Sequence, residues 1–176
     1  MSSEKIQVLL VTGKVTLEHV YRKTNEMLCT LIESTGRFEV HIIEDFRGAT
    51  SELLDNYDVI LVNYDGKCWP TDEALRWGET AEKSMFDFVS GGKGIVFYHS
   101  SVWVDDNWPE EYVKLMGGCC SMSRGSRRNP KGDFEVKLCG GHPITDGMTA
   151  AGMESSWLTV EEDFFAGVFW HPQADV

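Results

Sequence analysis

The stretch IQVLLVTG, residues 6–13, decides the fold. Its apolar run from Val8 to Val11 does not alternate with polar residues, so a strand built from it is buried on both faces, as in a parallel sheet covered by helices above and below. Thr12 and Gly13 close the run with a polar residue and a turn former, which predicts a strand entering a loop at Ile6 to Val11.

Reading outward, Glu18 to Thr35 carries apolar residues in pairs three to four apart, Met27 with Leu28 and Leu31 with Ile32, and Gly36 stands where a helix is expected to end. The spacing predicts an amphipathic helix. Phe38 to Ile43 is rich in aromatic and β-branched residues, and Val59 to Asn63 is a second continuous apolar run; both predict strands. Thr71 to Val89 places Ala74, Gly78, Ala81, Met85 and Val89 on one helical face before Gly91 and Gly92. Gly94 to His99 reads as a fourth strand, Pro109 to Met116 as a short helix, and Phe134 to Leu138 and Trp157 to Val160 as further strands. Cys119 to Gly132 reads as a loop. Strands alternating with helices predict one α/β domain over residues 1–176, with a mostly parallel central sheet covered on both faces.

Composition narrows the function. The formal net charge of -12 disfavours phosphate backbones and anionic lipid, so nucleic acid and membranes are poor partners, and Arg124, Arg127, Arg128 and Lys131 form a local basic exception. No apolar run approaches the ~20 residues that cross a bilayer, and the N-terminus lacks the features of a secretory signal. A cytoplasmic location is the expectation. Five cysteines, at 29, 68, 119, 120 and 139, have no CxxC spacing, which argues for reduced thiols over a disulfide framework or a zinc finger.

Open parallel sheets bind ligands outside the carboxyl ends of their strands. There the sequence puts Gly13 and His19 after the first strand, Asn63, Tyr64 and Asp65 after the third, and His99, Ser100 and Ser101 after the fourth. His142, in GGHPITDG, and Glu161 and Glu162 follow the two later strands, and the same edge is expected to collect them. A histidine before proline often only caps a turn, and His41 and His171 read as structural.

The ordered segments VLLVTG, EHVYRKTNEML, YDVILVNYDG, FVSGGKGIVFYHS, WPEEYVKLMGG, GGHPITDGM and VEEDFF resemble the ThuA-like (trehalose utilisation) family over nearly the whole chain. The resemblance implies a flavodoxin-like three-layer fold with a mostly parallel central sheet, related to class I glutamine amidotransferase domains, and a link to utilisation of trehalose or related disaccharides. By position, His19, the Asn63–Tyr64 pair, His99, the Gly117–Gly118 pair and the HPIT motif at His142 to Thr145 match family residues. Tyr21 stands for the family's usual tryptophan, Glu161 and Glu162 for its common Asp-Glu pair, and Phe164 for a frequent tyrosine. The chain stops at HPQADV, short of the family's usual C-terminal segment, and a homo-oligomer is one way to cover the edge this exposes.

Amidotransferase chemistry needs a cysteine or serine in a glycine-flanked elbow, but here that position reads Tyr98, His99, Ser100, Ser101, which argues against a cysteine-dependent amidotransferase. Imidazole and carboxylate groups suit both proton transfer and a divalent metal such as zinc. The cofactor thus stays open, with His19, His99 and Glu162 as candidate ligands. For acid–base work on a sugar or keto-sugar the candidates are His99 and His142, with Glu162 as orienting carboxylate. His19, Asn63, Tyr64, Asp65 and Trp108 are candidate substrate ligands for a small-molecule carbohydrate, since such a site needs hydrogen-bonding groups and an aromatic face. Trp69 and Trp103 are further aromatic candidates, whereas Trp77 reads as a core residue within the second long helix. A non-catalytic sugar-binding or oligomerisation module and a metal-assisted hydrolase are the competing readings.

Overall fold

The computed structural model describes residues 4–13, 20–64, 67–68, 73–74, 76–104, 108–172 and 174. Strand β1 (Ile6–Thr12) leads to helix α1 (Tyr21–Glu33), β2 (Phe38–Ile43), α2 (Ser51–Leu54) and β3 (Val59–Asn63). Two short strands follow, β4 (Lys67–Cys68) and β5 (Glu73–Ala74), and then α3 (Glu79–Ser90), β6 (Gly94–Phe97), a 3-10 turn (His99–Val102) and α4 (Glu110–Met116).

Four of these strands form one parallel sheet in the order β2-β1-β3-β6. The alternate residues of β1 and β3 divide between two apolar clusters. Val8, Leu10 and Leu61 pack with Leu28 of α1 on one face. Leu9, Val11, Ile60 and Val62 pack on the other with Leu54 of α2, Ala81 and Met85 of α3 and Tyr112 and Val113 of α4. Helices thus cover both faces, the three-layer α/β arrangement that the unbroken apolar runs require. The chain reverses its direction of progress across the sheet between β1 and β3, which is the position where loops leave on opposite faces and open a crevice.

The remaining strands do not extend this sheet. They are β7 (Gly118–Cys119), β8 (Arg127–Arg128), β9 (Gly132–Lys137), β10 (Ser156–Glu162), β11 (Phe165–Ala166) and β12 (Phe169–Trp170), with α5 (Pro143–Ala150) between β9 and β10. They pair antiparallel as β9 with β10, β8 with β11 and β7 with β12. The expectation that the later strands join a parallel sheet is therefore corrected. The reason is visible in β9, GDFEVK, where Asp133, Glu135 and Lys137 alternate with apolar residues, so that one face stays wet. The stretch read as a loop from Cys119 to Gly132 likewise contains β8.

Two helix boundaries also differ. Helix α1 runs from Tyr21 to Glu33. The helix expected from Thr71 starts only at Glu79, because Gly78 takes φ 88° and ψ 161°, a conformation that a helix cannot pass through and that glycine alone adopts cheaply. Upstream, β5 pairs with β4, and Trp77 lies in the core without being helical.

Candidate functional site

The crevice begins where Thr12 and Asn63 face each other across the β1–β3 ladder. Thr12, Asn25 and Asn63 are all buried. The Asn63 Nδ2 donates to Asn25 Oδ1 at 2.8 Å, and Asn25 Nδ2 donates to Thr12 Oγ1 at 3.1 Å. Asn25 lies in the second turn of α1, so this chain ties two strand ends to one helix.

Next to it stands an aromatic block. The Tyr64 ring lies so close to Gly13 that a Cβ there would fall 2.3 Å from it, which is why the turn after β1 carries glycine. Tyr64 stacks on Trp77 with centroids 5.7 Å apart, and Trp77 meets Trp108 edge-on at 5.5 Å. Trp108 in turn stacks on Tyr112 at 4.3 Å. Tyr64 and Trp108 are therefore set into the core, with little of either residue exposed.

A charged pair supports the same region. Glu82, in the first turn of α3, is buried and receives both Nε and Nη2 of Arg76, the Nε bond measuring 2.9 Å. That bond and the Glu82 charge hold the Arg76 guanidinium firmly protonated. Burial, and after it the Glu82 charge, push the Tyr112 hydroxyl far above the usual phenol range, so it stays protonated at any physiological pH.

Beyond β6 the backbone turns sharply. His99 has φ 52°, left-handed for a residue with a side chain, and opens the 3-10 turn with its ring exposed. Such a conformation costs about 1–3 kcal/mol and persists only where the surroundings enforce it. The geometry is that of a strand-to-helix elbow, which lifts the elbow side chain clear of the sheet edge. Ser100 Oγ, one residue on, is buried without a hydrogen-bond partner among the described residues.

The last strands bring charged groups toward this elbow. Trp103, just after the turn, packs on Phe165 with centroids 5.3 Å apart. Asp163 accepts from Arg128 Nη2 at 2.8 Å and lies 3.8 Å from Lys131 Nζ. The Arg128 hydrogen bond, more than any other influence, holds the Asp163 carboxyl below the usual carboxylate range, with smaller contributions from the charges of Arg128, Lys131 and His99. Glu162 caps the backbone beside it, Oε1 accepting from Asp163 N at 3.1 Å, and Glu161 takes φ 50° at the irregularity in the β9–β10 ladder.

His142 stands elsewhere. It is the N-cap of α5, where its Nδ1 accepts from Ile144 N at 3.2 Å, the turn-capping use of a histidine before proline. The antiparallel register sets Glu162 opposite Gly132 and Ser156 opposite Lys137, so Glu162 and His142 belong to opposite ends of a pair about 17 Å long. The edge expected to gather them both is divided by the strands that carry them. His19 and Asp65 lie outside the described residues.

Among the described residues no group of three His, Cys, Asp or Glu side chains is arranged to hold a metal ion. Burial raises the thiols of Cys119 and Cys120, and burial followed by the Glu33 charge raises that of Cys29, so none of the three is activated as a thiolate. A separate cleft of about 280 Å³, lined by Leu54, Asp55, Ser84, Asp87, Phe88 and Lys93 among others, opens between α2 and α3 at the amino end of the sheet, away from the crevice. No described helix is long and apolar enough to cross a membrane.

Residue reading along the chain missed Asn25, Arg76, Glu82, Tyr112 and Asp163. Asn25 and Glu82 sit inside helical patterns, where a polar residue signals only a wet face. The basic cluster was the one pointer to Asp163.

The family model described as ThuA, trehalose utilisation, matches residues 7–166. The chain is similar to a ThuA-like protein of known structure from Bacteroides uniformis ATCC 8492, with 18% identity and a TM-score of 0.66, covering 95% of this chain and 62% of that one. It is likewise similar to a ThuA-like protein from Parabacteroides merdae ATCC 43184, with 17% identity and a TM-score of 0.71, covering 95% of this chain and 64% of that one. The chain thus spans less than two thirds of either solved relative, and at these identities the likeness is one of fold. No curated protein matches it.

Proposed function

Because this chain belongs to the ThuA trehalose-utilisation family, we propose that it binds a disaccharide or a keto-sugar derived from one in the crevice between β1 and β3, and acts on it with His99 as general acid–base. The observation that carries this reading is the elbow: a histidine with φ 52° two residues past the end of β6, one strand away from Asn63. Strain of that kind on a residue with a side chain is characteristic of positions where the chain aims a group at a ligand. Imidazole exchanges protons near neutral pH, which matches the need of a hydroxyl or carbonyl centre at its protonation step.

The surroundings suit a sugar. Asn63 offers a hydrogen-bonding amide, Tyr64 and Trp108 belong to the aromatic block beside it, and Asp163 with Arg128 and Lys131 forms a charged group on the His99 side. In this reading Asp163 takes the supporting place that residue order alone suggested for Glu162. His142, engaged as a helix cap, has no part in the proton transfer.

Calorimetry with trehalose and its keto derivatives, paired with product analysis, tests the proposal. Wild type is expected to bind and turn over at least one of them, and His99→Ala to keep binding while losing turnover by about 10²–10⁴-fold. Binding with no product from the wild-type chain identifies a sugar-binding module instead, and absence of binding removes the carbohydrate class.

A further inference from the structure

We infer that Asn25 is a positioning residue that fixes which end of the Asn63 amide meets the ligand, so that this point of the crevice selects a hydrogen-bond donor such as a sugar hydroxyl. The inference rests on the proposed carbohydrate site and adds the sense of recognition at its floor.

Asn63 is 3% exposed and Asn25 6%, so neither amide can exchange its protein partner freely for water. The hydrogen bonds run in one direction, from Asn63 Nδ2 to Asn25 Oδ1 and from Asn25 Nδ2 to Thr12 Oγ1. This turns the nitrogen end of Asn63 toward Asn25 and uses one of its two protons. Its Oδ1 accepts from no described residue. Oδ1 is thus the end of the amide left for a ligand at the strand-order reversal, one strand from the turn that carries His99. A hydroxyl donating to that oxygen completes it. A carbonyl or carboxylate oxygen in the same place would set lone pair against lone pair.

The alternative is equally simple to state. If both amides turned over and Thr12 donated, Nδ2 of Asn63 would point outward and the floor would select an acceptor. Asn25 decides between the two, although it does not reach the ligand.

Substitution at residue 25 separates them. In Asn25→Asp the side chain can accept from Asn63 and from the Thr12 hydroxyl, which keeps the carbonyl outward. In Asn25→Leu the volume is retained and the hold is lost. With trehalose as the calorimetric probe, Asn25→Leu is expected to weaken binding about tenfold or more, and Asn25→Asp to restore it to within about threefold of wild type. An Asn25→Asp protein as weak as Asn25→Leu overturns the inference. Should wild type bind no sugar, the carbohydrate reading fails, but side-chain amide NMR still decides the present point. One slowly exchanging Asn63 Nδ2 proton is expected in wild type and in Asn25→Asp, and its absence from either overturns the inference even if Asn25→Leu does not fold.

Discussion

Strands β1 and β10 have the same length, seven residues each, and opposite fates. In β1 the run Val8 to Val11 is buried on both faces, whereas in β10 Leu158 and Val160 each leave 64% of their surface exposed. The parallel sheet stacks helices on both sides of its central strands. Among the described residues the antiparallel pair β9–β10 has two strands alone, and α5, which connects them in sequence, buries none of its residues. Two strands without a covering layer are marginal in water. The lesson is that the parallel sheet is the rigid part of the molecule, while the later strands carry the charged group of Asp163, Arg128 and Lys131 on a less anchored platform.

Hydrogen exchange should break or sharpen this contrast most strongly. Amides of Val11 and Val62 are expected to be protected on the order of a hundredfold or more beyond those of α5 and β10, because the sheet opens only with global unfolding. Equal protection would mean that the two regions form one cooperative unit.

Truncation gives the next largest difference. Leu10→Ala removes a fully buried side chain between β1's neighbours and should cost about 2–5 kcal/mol in denaturant unfolding, whereas Leu158→Ala should stay within about 0.5 kcal/mol. A large loss at Leu158 would reveal a covering layer over β10 in solution.

Gly13→Ala probes the seam between sheet and site. The new methyl collides with the Tyr64 ring, so a loss of about 1–3 kcal/mol is expected, accompanied by a change in Tyr64 ring resonances. Neutral behaviour would show that Tyr64 moves at little cost and that the aromatic block is adaptable.

The smallest effect concerns pH. The Asp163 carboxyl is held below its ordinary value, so its contribution to stability is fully present above that value and fades as the pH falls through the lower, folded one. Its carboxyl titration, followed by NMR, should move up toward the ordinary value, about 4, in Arg128→Ala. A midpoint unchanged by that substitution would show that Arg128 does not hold Asp163.

The parallel sheet was legible because continuous apolar runs have few solutions. Val8 to Val11, Val59 to Asn63 and the glycines at 91 and 92 each fixed an element or its end. Gly78 misled, since its spacing from Ala74 and Ala81 continues a helical face while its φ forbids the helix. The β9–β10 pairing was hidden because short alternating strands carry no sign of direction. At the site, strand ends pointed directly to Asn63 and His99. The hydrogen bond from Asn63 to Asn25 spans 38 positions and depends on how α1 lies over the sheet, which no local pattern contains. His142 shows the reverse: a conspicuous HPIT motif whose histidine is occupied in capping α5.

The contact between Trp77 and Trp108 has a practical consequence. Two indoles crossed at 76° and held 5.5 Å apart couple their electronic transitions, giving the pair its own optical signature in near-ultraviolet circular dichroism. Since Trp170 is 57% exposed, added quencher will dim its emission while sparing the enclosed pair. The fluorescence that survives comes from the less exposed indoles, Trp77 and Trp108 among them, so a change at this pair can be followed without any label.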